Sequence, residues 1–118
     1  MNELLKVRLA ESGMNISLAL ERVAGNEALL VLLLQSLAED TSPELLQDAI
    51  AKQNVEEAFE IAHKLKGGIG NLALNSMYEI LLPLVECLRE GSLDGCTGLC
   101  EQFLAKFYEF RELMSLCA

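Results

Sequence analysis

Cys96, Cys100, Phe103, Phe107, Phe110, Met114 and Cys117 recur at intervals of 4, 3, 4, 3, 4 and 3 residues. A step averaging 3.5 residues over that distance fits one face of a long helix and excludes a strand, whose side chains alternate every second residue. The face is apolar and must be covered, either by a second copy in a coiled coil or by other helices of the same chain. Seven positions make only about three heptads, so the spacing points to the core of a helical bundle and to a monomer.

The rest of the chain can supply the covering helices, since it holds two prolines, little β-branched alternation and no hairpin signal. A short helix is expected near Glu3 to Glu11, closed by Gly13. A second starts at an Asn15 cap and ends near Gly25. A third runs from an Asn26 cap to about Asp40 and is apolar on most sides, so it is expected to be central. Thr41-Ser-Pro-Glu44 reads as a stop and a restart, with Ser42 as cap and Pro43 where its missing N–H does no harm. That fourth helix ends near Gln53. Asn54 with Glu57 resembles a capping box for a fifth, which fades around Asn71 to Leu74. Asn75 is expected to cap a sixth, with Met77, Ile80, Leu81, Leu84 and Leu88 on one face and a kink at Pro83. Gly91 to Gly95 is a loop. Short links between consecutive helices imply an all-α, antiparallel four-helix bundle with additional short N-terminal helices. The 118 residues suit one domain spanning 1–118, with a core of about 15–114.

Composition narrows the function. Hydrophobic residues make up 52 % of the chain, enough for a substantial core, and the net charge is −9. So acidic a chain repels nucleic acid and anionic membrane surfaces. The longest apolar run, Ala28 to Leu34, is seven residues, against about 20 for a membrane span. The opening MNELLKVRLAES has no signal-peptide pattern, so cytoplasm is expected. Cys87, Cys96, Cys100 and Cys117 form no Cys-x-x-Cys pair, and a single histidine cannot complete a Cys/His cluster. They read as small apolar residues in a reducing compartment, with no metal and no cofactor.

That single histidine, His63, lies in the stretch AHKLKGGIGN, followed within seven residues by Gly67, Gly68 and Gly70. On a helical wheel, Ile61, Ala62, Leu65, Ile69 and Leu72 fall within roughly 60° of Ala58, and His63 stands about 140° from Ala58. The imidazole therefore faces solvent. Its helical neighbours include Phe59, Glu60, Lys66, Gly67 and Gly70. Each mid-helix glycine costs about 1 kcal/mol relative to alanine. Either the helix ends here, or another protein brings its backbone close to the ring. The apolar period continues through the glycines, which favours clearance at Gly67 and leaves Gly68 and Gly70 open to both readings. Lys66, one turn from the ring, can neutralise an anion placed on it; Lys64 projects to the other side. No Ser, Cys or Asp stands beside His63 to complete a hydrolytic triad. Glu60 is placed to hydrogen-bond Nδ1 and set the tautomer, leaving Nε2 free to accept a phosphoryl group.

Ala62-His63-Lys64-Leu65-Lys66-Gly67-Gly68 resembles the centre of the histidine phosphotransfer domain of bacterial two-component phosphorelays, His-x-Leu-Lys-Gly followed by small residues. Upstream, Ala19-Leu20-Glu21-Arg22 with Gly25-Asn26-Glu27 is similar to the same family's Ala-Leu-x-Arg and Gly-Asp/Asn. The resemblance covers about Asn15 to Met114. It implies a four-helix bundle with His63 as phospho-acceptor on an exposed face, Lys66 screening the phosphate and Gly67 making room for it. It implies receiver domains of response regulators or hybrid sensor kinases as partners, their Mg²⁺ supplying the catalysis, and a carrier that is not itself an enzyme. Phe59 would be an apolar docking contact, with Glu60, Lys64, Gly68 and Gly70 around it. Two positions depart from the family: Ala73 stands where glycine is common ten residues after the histidine, and Pro83 lies inside the following helix. A bundle that docks partners without phosphate is the alternative, and would need neither His63 nor Lys66. An autokinase or phosphatase would need a Gly-rich nucleotide loop, and the chain has none.

Overall fold

The structure, a computed structural model, describes residues 1–117 without the side chain of Cys117, so the last position of the apolar seam falls outside the described side chains. Seven helices follow one another: α1 (Glu3–Glu11), α2 (Ile16–Arg22), α3 (Glu27–Glu39), α4 (Ser42–Ala51), α5 (Val55–Asn71), α6 (Asn75–Arg89) and α7 (Cys96–Cys117). No strand is formed among the described residues; a lone antiparallel bridge joins Met14 and Leu74. Helices α4 to α7 pack each against the next, and α4 closes the ring against α7, giving the antiparallel four-helix bundle.

The seam of α7 is the bundle's inner face: Cys96, Cys100, Phe103, Phe107, Phe110 and Met114 are all buried. The rings of Phe103, Phe107 and Phe110 form a ladder with successive centroids 5.9 Å apart. Burial pushes the Cys96 and Cys100 thiols up to about 11, so both stay protonated in the core. From α5 the core receives Ala58, Ala62, Leu65 and Ile69, and from α6 Met77, Leu81, Leu84, Val85 and Leu88. Ile80 is only half-buried.

Asparagine starts four of the helices. Asn2, Asn15, Asn26 and Asn54 each accept a hydrogen bond from the backbone N–H three residues on, satisfying an orphan donor of the first turn. Asn54 also donates to the Glu57 carboxylate at 3.0 Å, so the box at the head of α5 closes through both side chains. Two expected caps are not used. Ser42 lies inside α4, and its N–H is taken by the Asp40 carboxylate at 2.8 Å. Asn75 is the first residue of α6 and follows Leu74, whose apolar side chain makes no cap hydrogen bond. Pro83 does not interrupt α6, which is helical from Asn75 to Arg89; the proline is on its exposed side.

Helix α3 is not central. Leu30, Leu34 and Ala38 are buried, but Leu29, Leu32 and Leu33 are 41 %, 62 % and 40 % exposed. The helix packs chiefly against α7 and leaves its other side open, because α4 already fills the gap between α5 and α7. Arg111 of α7 clamps the break between α3 and α4. Its guanidinium donates to the carbonyls of Ala38 and Asp40 at 2.8 and 2.9 Å and to the Glu44 carboxylate at 2.9 Å, and lies over the Phe107 ring.

The α5–α6 turn sets the end of the histidine-bearing helix. Ala73 N–H donates to the Gly70 carbonyl and Leu74 N–H to that of Ile69, a Schellman closure, with Ala73 at φ +54°. The α1–α2 hairpin grips this turn: Asn15 N–H donates to the Ala73 carbonyl at 2.9 Å, and Ser76 Oγ–H to that of Ser12 at 2.6 Å. Arg22 Nη1 donates to the carbonyls of Gly70 and Asn71 at 2.6 and 3.0 Å. Helix α5 has no basic residue in its own last turn, so the cation that meets its negative end comes from α2.

Candidate functional site

Helix α5 buries one stripe and leaves the opposite side to solvent, and His63 stands on that side, exposed. Its nearest ring is that of Phe59, one turn earlier. The two rings are stacked with centroids 5.7 Å apart and planes within 9°. Phe59 is half-buried, and its ring carries the Arg89 guanidinium of α6, 5.0 Å from the centroid. Glu60 is exposed and makes no hydrogen bond to His63 among the described residues, so the expected carboxylate–imidazole pair is replaced by an aromatic one. Stacking uses the faces of the imidazole. In the neutral ring one nitrogen keeps an in-plane lone pair, which stacking leaves available.

The three glycines separate into two kinds. A Cβ built on Gly67 or Gly68 meets nothing within 4 Å. Neither glycine is therefore required by packing within this chain, and both leave empty space one turn beyond the imidazole. A Cβ on Gly70 would stand 2.8 Å from Cε1 of Tyr78, so that glycine lets the α6 ring lie against α5. The close approach at Gly70 belongs to the fold, unlike the clearance considered from the sequence. Two open grooves flank the glycine pair. One, of 370 Å³, is lined by Gly67 with Lys66, Arg22 and Tyr78; the other, of 580 Å³, by Gly68 with Leu33, Leu37 and Leu72.

The charges are arranged unevenly. Lys6, Lys52, Arg89, Lys106 and Arg111 are ion-paired with carboxylates. Among the described residues Lys64, Lys66, Arg22 and Arg8 are not, and the first two flank His63 while Arg22 shares a groove with Lys66. In a chain of net charge −9, uncompensated positive charge thus collects beside the imidazole. A site of this kind suits a dianionic group on the ring better than a neutral one.

Sequence reasoning quoted Arg22 without finding its part in ending α5, and missed Arg89 and Tyr78. Arg89 and Tyr78 reach α5 from α6, and no pattern local to the His63 segment signals them.

A family model for the Hpt domain matches residues 28–115, well over half of the chain, and spans α4 to α6 with most of α3 and α7. The chain belongs to the Hpt domain family. Searches of curated proteins and of solved structures found no match. Hpt domains are helical bundles that carry phosphoryl groups on histidine in phosphorelays and interact there with receiver domains; they are phosphocarriers rather than catalysts. The chain has a single histidine to offer such a role. Helices α1 and α2 precede the matched span of this Hpt domain and are joined to it through the α5–α6 turn. No helix among the described residues is long and apolar enough to cross a membrane.

Proposed function

We propose that His63 is the phospho-acceptor of a phosphorelay. A ring nitrogen, Nε2, attacks the phosphorus of a receiver's aspartyl phosphate; the N–P bond forms as the acyl P–O bond breaks, and the aspartate leaves as carboxylate. The reverse step at a second receiver returns the free imidazole. The receiver and its Mg²⁺ supply the catalysis, and this chain supplies an exposed nucleophile, a counter-charge and room. Lys66 screens the phosphoryl oxygens as a point charge, with Lys64 on the other flank. Gly67 and Gly68 admit the partner's backbone. Phe59, Glu60 and Gly70 border the docking face, Gly70 by seating Tyr78.

The observation that carries this reading is the exposed His63 ring with open space over both Gly67 and Gly68. The partners are receiver domains of response regulators or hybrid sensor kinases. The chain works as a cytoplasmic monomer without a cofactor of its own. Residues 1–118 act as one domain, since α1 and α2 fix the end of the acceptor helix.

Incubation with phosphorylated receivers tests this. The protein should gain acid-labile, alkali-stable phosphate, and His63→Gln should fold normally and gain none. Equal labelling of His63→Gln and wild type would remove the assignment and leave a bundle that docks partners without phosphate.

A further inference from the structure

An exposed histidine on an open helix face is free to exchange among staggered rotamers. His63 is not in that position, because Phe59 stacks on it within 9° of parallel. Phe59 is itself held from its far end of the site: Arg89 places its guanidinium 5.0 Å from the ring centroid, and Glu86 steadies Arg89 through a 3.3 Å ion pair. The three side chains Arg89, Phe59 and His63 form one continuous series from the last turn of α6 to the acceptor.

We infer that Arg89 and Phe59 are positioning residues that hold the His63 imidazole in one orientation for in-line attack. The inference rests on His63 being the acceptor and adds what prepares it. Phosphoryl transfer between two proteins requires a ring nitrogen, the phosphorus and the leaving oxygen to be nearly collinear, and small misplacements of a reacting group are expensive in rate. A planar, delocalised guanidinium is suited to lie on an aromatic face. Stacking fixes the imidazole plane without occupying either nitrogen, whereas a hydrogen bond donated to the Glu60 carboxylate would have occupied Nδ1.

The test uses the full chain and its single histidine, whose ring protons are unambiguous in NMR spectra. Chemical shifts of those protons, the χ1 couplings of His63 and the transfer rate from a phosphorylated receiver are measured in wild type, Phe59→Leu, Phe59→Tyr, Arg89→Ala and Arg89→Lys, with helix content checked by circular dichroism. Phe59→Leu should abolish the ring-current shift, average the χ1 couplings and slow transfer roughly tenfold. Arg89→Ala should move the same signals part of the way and slow transfer about threefold. Phe59→Tyr keeps an aromatic face and should keep the His63 ring-current shift, whereas Arg89→Lys lacks the planar guanidinium and should move the His63 signals in the direction of Arg89→Ala. Unchanged His63 signals in Arg89→Ala overturn the inference, whatever the transfer rate. If the wild type accepts no phosphate while its ring signals respond to Arg89→Ala, the acceptor reading fails and the positioning of the ring stands.

Discussion

Cε1 of Tyr78 lies 2.8 Å from where a Cβ on Gly70 would be, while the Cβ positions of Gly67 and Gly68, on the same helix, are empty to 4 Å. Three glycines that look alike in sequence thus sit in two different surroundings. Gly70→Ala would force the half-buried Tyr78 ring to swing away, at an overpacking cost of about 1–3 kcal/mol against about 1 kcal/mol gained in helix propensity. The expected net loss is about 1 kcal/mol, read as a lower urea midpoint.

Gly67→Ala should act in the opposite sense on stability. Its new methyl meets nothing within 4 Å, so only helix propensity changes, and stability should rise by up to about 1 kcal/mol, read as a higher urea midpoint. Gly67→Leu should keep its helix content and slow transfer from a phosphorylated receiver by roughly tenfold or more. Transfer unchanged by the leucine would remove the clearance argument.

Helices α4 and α5 both close on a residue in the left-handed region that is not glycine: Gln53 at φ +59° and Ala73 at φ +54°. Such a conformation costs a residue with a Cβ roughly 1–2 kcal/mol. Gln53 is exposed, so Gln53→Gly should stabilise by about 1 kcal/mol. Ala73 is 1 % exposed, and its methyl is worth about 0.8 kcal/mol when buried, so Ala73→Gly should change stability much less. Thermal unfolding of the two variants side by side checks the difference.

The hydrogen bond from Arg111 holds the Glu44 carboxyl below the usual carboxylate range, against a smaller opposing effect of burial. A lowered folded-state value stabilises the protein above the unfolded carboxylate range, near pH 4.3, and that contribution is lost as pH falls through the lower folded value. The pair is more than a third exposed on the Glu44 side, so its worth is about 1 kcal/mol or less. Glu44→Gln should flatten the fall in urea midpoint between pH 5 and pH 2 relative to wild type. Arg111→Ala should cost more at every pH, since it also strips the Ala38 and Asp40 carbonyls of their donor.

The heptad spacing of α7 placed the bundle's inner face because a long helix has to bury its only apolar side, and the asparagine caps were legible because each acts within three residues of itself. The wheel placed His63 outside for the same local reason. What was not legible depends on contacts between segments distant in sequence. Leucine density in α3 suggested a central helix, yet coverage is decided by which helix reaches the gap first, and α4 does. Ser42 looked like a cap, but α4 begins at Ser42 itself, whose N–H donates to Asp40 two residues back. Glu60 and Phe59 were both neighbours of His63 on the wheel, and the choice between them came from Arg89, twenty-six residues beyond the histidine.

Arg22 is a tether as well as a charge. Its two bonds to Gly70 and Asn71 mean that the last turn of α5 is fastened by a segment lying wholly ahead of the span by which the family is recognised. A version of the chain trimmed to that span would keep the histidine, the lysine and all three glycines, and would let the end of α5 fray about two turns beyond the imidazole.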